Sequence, residues 1–142
     1  MPTHSGSARY EGFGKDGRGW VSTQSGALAD QPYGFATRFE SEPGTNPEEL
    51  IAAAHASCFT MALSFALAGA GHDKGTLETH AKVTLEKDGD GFTITKSALD
   101  LRAAVPGLAA DEFERLAAEA KANCPVSKVL NAEITLTHLL AE

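Results

Sequence analysis

Several things are scarce in this chain, and each scarcity narrows what it does. Only two of its 142 residues are cysteine, too few for a disulfide scaffold, so a reducing cytoplasm is the expected compartment. Basic residues are few and scattered. The 12 Lys and Arg stand against 19 Asp and Glu, a net charge of −7 that repels nucleic-acid phosphates. No basic cluster marks a membrane-surface patch, and the opening "MPTHSGSARYEG" has no apolar signal region. There is no fixed-period repeat and no low-complexity segment. The most informative absence is local: from Leu50 to His72 no Asp, Glu, Lys or Arg occurs, and Cys58 lies within that stretch.

The length is that of one domain, residues 1–142, large enough for a core of its own. An uncharged run of this size has the length of a membrane span. However, eight of the twenty residues from Ile51 to Ala70 are alanine, and His55, Ser57, Thr60 and Ser64 interrupt the run. These contribute little to insertion, and no Lys or Arg flank precedes them. The stretch is therefore expected to be a buried helix of a protein that is not in the membrane. Its start is well marked: Asn46 caps, Pro47 suits the first helical position, and Glu49 has the capping-box spacing. The glycines of "GAGHDKG" end it. A helix apolar on every side must be covered on every side. One small sheet and one further helix hardly surround about 22 residues, roughly 33 Å of helix. A second copy of the chain is the expected cover, giving a homodimer.

Short strands are expected in "SARYEG", "GWVSTQS" and "YGFATRFES", with "GFGKDGRG" as a hairpin turn rather than a phosphate loop, since it lacks G-K-[ST]. "TLETHAKVTLEK" alternates strictly, "DGDG" turns the chain, and "FTITKSALDLRAAV" returns, with a parity slip between Ile94 and Leu99 that predicts a bulge. "PGLAADEFERLAAEAKAN" predicts a helix with Phe113, Leu116, Ala117 and Ala120 on one side. "AEITLTHLL" closes as a strand. Runs of strands with helices set between them define an α+β fold.

For the two thiols the plain reading is buried, inert cysteine. Cys58 lies deep in its helix, away from the N-terminal dipole, with no cation on that helix, so a thiolate there needs one from elsewhere. Arg38 in "FATRFES" is a candidate, on a strand drawn inward by Phe35 and Phe39, and Glu49 is placed to orient its guanidinium. Cys124 precedes Pro125 and caps the next turn, so dipole reasoning makes it the more acidic thiol. "CPVS" also has the Cys-x-x-Ser spacing of thiol-redox motifs. These arguments leave open which thiol attacks first. His55 and Cys58 have a spacing usable by zinc, but no second ligand pair follows, so no metal is expected. His4, His72, His80 and His138 are isolated. A Gly-x-Ser-x-Gly nucleophile elbow is lacking.

"VSTQSGALADQPYGFATRFE", "GTNPEELIAAAHASCFTMALS", "GFTITKSALDL", "AVPG" and "AKANCPVSKVLNAEITL" together resemble, in order and spacing, the OsmC/Ohr family of bacterial hydroperoxide-detoxifying proteins, nearest the OsmC branch. The resemblance implies an intertwined homodimer in which antiparallel sheets wrap central apolar helices, with active sites at the subunit interface. It implies a cysteine-based peroxidase acting on organic hydroperoxides and, less well, hydrogen peroxide, in oxidative and osmotic stress defence. Cys58 falls at the peroxidatic position, Cys124 at the resolving position, Arg38 at the thiolate-stabilising arginine and Glu49 at the glutamate that holds it. An intrachain Cys58–Cys124 disulfide and an external dithiol reductant, of lipoyl type, complete the implied cycle, with no cofactor. The alternatives from other classes are a dimeric redox sensor or small-molecule binding protein without turnover, and a structural dimer with inert thiols.

Overall fold

The structure is a computed structural model, and residues 1–141 are described. The fold is α+β and consists of two compact units, the first Met1–Leu50 and the second beginning at Ile51. The chain concentrates its contacts in these two parts.

In the first unit, β1 (Gly6–Glu11) and β2 (Arg18–Thr23) form an antiparallel hairpin closed by a single 3-10 turn at Gly14–Asp16. This agrees with the hairpin expected from "GFGKDGRG". β3 (Gln31–Tyr33) adds antiparallel to β2. The sequence then departs from expectation: "FATRF" is not a strand but a short helix, α1 (Phe35–Phe39). Its two phenylalanines are four apart, the spacing of one helical face, and their rings pack at a 45° tilt with centroids 5.0 Å apart. At its start the Gly34 amide donates to Thr37 Oγ1 at 2.8 Å.

α2 (Pro47–Gly69) begins as its sequence signals, with the Glu49 amide donating to Asn46 Oδ1 at 2.8 Å. The chain turns into it through Gly44, at φ 142°, where an added Cβ would lie 2.5 Å from Pro32 O and 2.8 Å from Thr37 Cγ2. Only glycine fits so close to that backbone.

The second unit holds β4 (Thr76–Asp88), β5 (Gly91–Ala104), α3 (Ala110–Asn123), α4 (Pro125–Val129) and β6 (Glu133–Leu140). β4 and β5 form the long expected hairpin. Its register shifts where Thr84 pairs with Lys96 and Leu85 with Ile94, leaving Thr95 as the bulged residue inside the predicted window. β6 lies parallel to β5, so this sheet is mixed rather than antiparallel throughout. The reason is topological: β5 and β6 are joined by a crossover through α3 and α4, not by a hairpin. The core is built from the α2 stripe Phe59, Leu63 and Leu67, the β5 residues Leu99, Leu101 and Ala103, and the α3 face Phe113, Leu116, Ala117 and Ala120. That α3 face is the one its periodicity predicts. Cys124 closes the cluster at 0% exposure.

By length and composition α2 matches a membrane span, yet only 22% of its most apolar window is buried within this chain. Met61 and Phe65 stand 62% and 73% exposed.

Candidate active site

The two thiols come together. Cys58, half-buried, faces from the middle of α2 toward Cys124, which is both the last cap of α3 and the first cap of α4. Their side chains interact directly, each thiol shifting the proton affinity of the other. α4 begins with Pro125, whose fixed φ suits a first helical position, and this leaves the next amides free to point at sulfur. The Val126 amide favours negative charge on both sulfurs, and the Ser127 amide and hydroxyl favour it on Cys124.

These contacts divide the charge unevenly. Burial raises the Cys58 thiol, and the proton and charge it shares with Cys124 raise it further, against the Val126 amide. Burial also opposes a Cys124 thiolate, but it is outweighed by the hydrogen bonds from Cys58, Ser127 and Val126, so Cys124 falls below the ordinary thiol value. Within the second unit, therefore, the helix-cap argument holds: Cys124 carries the charge more readily. Accessibility runs the other way, since Cys124 is wholly enclosed and Cys58 is not.

The first unit holds an arginine in an ion pair. Arg38 on α1 donates through Nε to Glu48 Oε1 at 2.8 Å, and its Nη2 donates to the same oxygen. Glu48 is buried, with 9% side-chain exposure, while Arg38 keeps 35%. Asn46 Nδ2 ties the helices by donating to Thr37 O at 3.2 Å. The arginine's partner is thus Glu48, one residue before the Glu49 expected. The first turn of α2 explains the difference. Glu49 is exposed and its carboxylate accepts from Thr45 Oγ1 at 2.8 Å, while Glu48, about 100° around the helix, faces inward. The capping-box spacing points to Glu49 and away from its neighbour.

Two further polar residues, Ser97 and Ser127, escape the sequence reading, and both meet His55. His55 is buried with both nitrogens engaged, Nδ1 with Ser97 Oγ at 2.6 Å and Nε2 with Ser127 Oγ at 2.8 Å. Burial lowers its proton affinity. The one available signal is "CPVS", whose serine is the residue found against Cys124.

A two-thiol centre in an α+β chain, one sulfur reachable and one enclosed, defines a class of dithiol redox proteins. The particular family follows from comparison: residues 39–138 match the model of the OsmC-like protein family, and the chain belongs to it. The chain is 57% identical over 135 residues to peroxiredoxin OsmC of Escherichia coli (strain K12), covering 95% of this chain and 94% of that one. It is 37% identical over 103 residues to the organic hydroperoxide resistance protein OhrA of Bacillus subtilis, covering 71% and 70%. The crystal structure of the organic hydroperoxide resistance protein OhrB of Bacillus subtilis superposes with a TM-score of 0.68 at 27% identity, covering 98% of each chain.

Proposed function

We propose that this protein is a cysteine-based peroxidase that reduces organic hydroperoxides, a defence against oxidative stress. The observation that carries this reading is the direct interaction of Cys58 on α2 with Cys124 at the α3–α4 junction, each thiol shifting the proton affinity of the other. The names borne by its relatives, peroxiredoxin and organic hydroperoxide resistance protein, agree with it.

In this reading Cys58 attacks first because a hydroperoxide reaches it and not the enclosed Cys124. Its thiolate displaces an alkoxide from the distal peroxide oxygen; the alkoxide takes a proton and leaves as alcohol, and Cys58 becomes a sulfenic acid. Cys124 then condenses with that sulfenic acid, releasing water and forming the disulfide before over-oxidation. An external dithiol, of lipoyl type, restores both thiols. Ionising Cys58 rather than Cys124 calls for a nearby cation. Arg38 is the proposed source, with Glu48 holding its guanidinium in a fixed plane. Glu49 serves the helix cap. No metal or organic cofactor enters these steps.

The bare face of α2 around Met61 and Phe65 supports a homodimer in which two copies cover each other's helices. We assign the protein to the cytoplasm as a soluble dimer, consistent with its two free thiols.

The test is turnover. With excess dihydrolipoamide the protein consumes tert-butyl hydroperoxide over many cycles, and Cys58→Ser does not. A single stoichiometric oxidation with no cycling would instead favour the redox-sensor reading.

A further inference from the structure

The peroxidase steps use two sulfurs and leave a third buried group beside them without a task. His55 is 0% exposed, as is its partner Ser97 on β5. Hydrogen bonds run from Ser97 through the imidazole to Ser127 on α4; Ser127 is the third residue after the α4 cap Cys124, whose charge its amide and hydroxyl favour, and Cys124 interacts with Cys58. All five residues belong to the second unit.

We propose that His55 is a positioning residue for disulfide closure: acting through Ser127, it sets the direction of that hydroxyl's proton and thereby presents Cys124 to Cys58 as a thiolate. The inference rests on the peroxidase reading and concerns only its second step.

The argument is one of donors and acceptors. A neutral imidazole has one N–H and one lone pair, and full enclosure favours that neutral form here. With the proton on Nε2, His55 donates to Ser127 Oγ and accepts from the Ser97 hydroxyl at Nδ1. The Ser127 proton is then left to donate to the Cys124 sulfur, which favours the thiolate. With the proton on Nδ1, the Ser127 hydroxyl is spent on Nε2 and offers sulfur only a lone pair, which suits the thiol. The Cys124 thiolate and the Nε2–H tautomer therefore select each other. In the closing step the Cys124 sulfur attacks the Cys58 sulfur; the S–S bond forms and the S–O bond breaks. The departing hydroxide takes up one proton, matching the one Cys124 gave up, and leaves as water. Cys124 is oxidised and the Cys58 sulfenic acid reduced by the same electron pair.

Few other titratable groups face this line. Cys58 and His55 come from α2, and α4 offers the Val126 amide and the Ser127 amide and hydroxyl, its Lys128 being exposed. β5 presents Ser97, Leu99 and Leu101 on the buried side, and strand alternation turns Lys96, Asp100 and Arg102 to the other face. On α3 the core-facing residues Phe113, Leu116, Ala117 and Ala120 carry no charge.

The experiment is a single-turnover time course on the full chain, with one equivalent of tert-butyl hydroperoxide and dimedone as the sulfenic-acid trap. It is run at several pH values between about 6 and 9, spanning ordinary thiol ionisation. For Ser127→Ala the ratio of closure rate to Cys58 oxidation rate falls about tenfold, the effect of one hydrogen bond to a charged sulfur. The closure midpoint moves to higher pH, and dimedone adduct at Cys58 accumulates. His55→Gln, which keeps an N–H donor near the Nε2 position, recovers most of the ratio, while His55→Leu behaves like Ser127→Ala. If His55→Leu fails to fold, Ser127→Ala alone decides the outcome. Closure at the wild-type ratio and wild-type pH midpoint in Ser127→Ala overturns the proposal while leaving the peroxidase intact. Absence of Cys58 oxidation in the wild type overturns the peroxidase reading itself and this step with it.

Discussion

The two units of this chain are stabilised in different ways. Every large apolar residue of the buried core, from Phe59 to Leu116, lies in the second unit. The first unit buries only Gly19, Thr45 and Glu48, none of them a hydrophobic anchor. It holds its shape through strand register, the Thr37 and Asn46 hydrogen bonds and the Arg38–Glu48 pair. In the proposed reading the core-bearing unit carries the two sulfurs, and the lightly packed unit carries a cation whose orientation depends on one carboxylate.

The largest effects expected from this difference are on activity, in the first unit. Arg38→Ala lowers kcat/KM for an organic hydroperoxide about 100-fold, as for loss of a preorganised charge. Glu48→Gln lowers it about tenfold, because the guanidinium loses a charged partner. Glu49→Gln leaves it within about twofold, since its carboxylate only completes a cap. Equal losses for the two glutamates in steady-state assays would erase the assignment of Glu48.

Stability should show the reverse distribution. Leu101→Ala, in the filled core of the second unit, costs roughly 2–5 kcal/mol in urea titration. Val21→Ala, on a strand of the first unit with no comparable core, costs about 1 kcal/mol or less. A larger cost at Val21 than at Leu101 would mean that the first unit is covered by something not seen in the single chain.

The smallest effect concerns pH. Burial holds His55 below its unfolded value of 6.5, so below that pH the unfolded chain binds a proton that the folded chain refuses. Its contribution to stability is complete above pH 6.5 and declines as the pH falls toward the lower folded value. Urea midpoints at about pH 7.5 and about pH 5.5 should therefore differ less in His55→Gln than in the wild type. An unchanged difference would show that His55 is not the group responsible.

Much of this is readable from the residues. The α2 start, the β4–β5 hairpin with its bulge and the α3 core face follow from period, caps and turns, which act over a few positions. Other features are not. The α1 segment suits a strand as well as a helix because Phe35 and Phe39 fit either period, and only the Gly34–Thr37 contact decides between them. The parallel placement of β6 depends on how α3 and α4 cross the sheet, which no local pattern encodes. Glu48 and Glu49 are identical in type and adjacent, so which one meets Arg38 depends on the rotation of α2 relative to α1. His55, Ser97 and Ser127 are far apart in the chain, and nothing short of the fold joins them into one hydrogen-bonded line.

The most direct measurement is the intact mass of the reduced protein after one equivalent of tert-butyl hydroperoxide. The wild type should lose two hydrogens, about 2 Da, with digestion recovering a Cys58–Cys124 linked peptide, and Cys124→Ser should instead gain one oxygen, about 16 Da, at Cys58. An unchanged mass, or oxygen retained on the wild-type protein without the linked peptide, would contradict the claim that these two sulfurs are held ready to join.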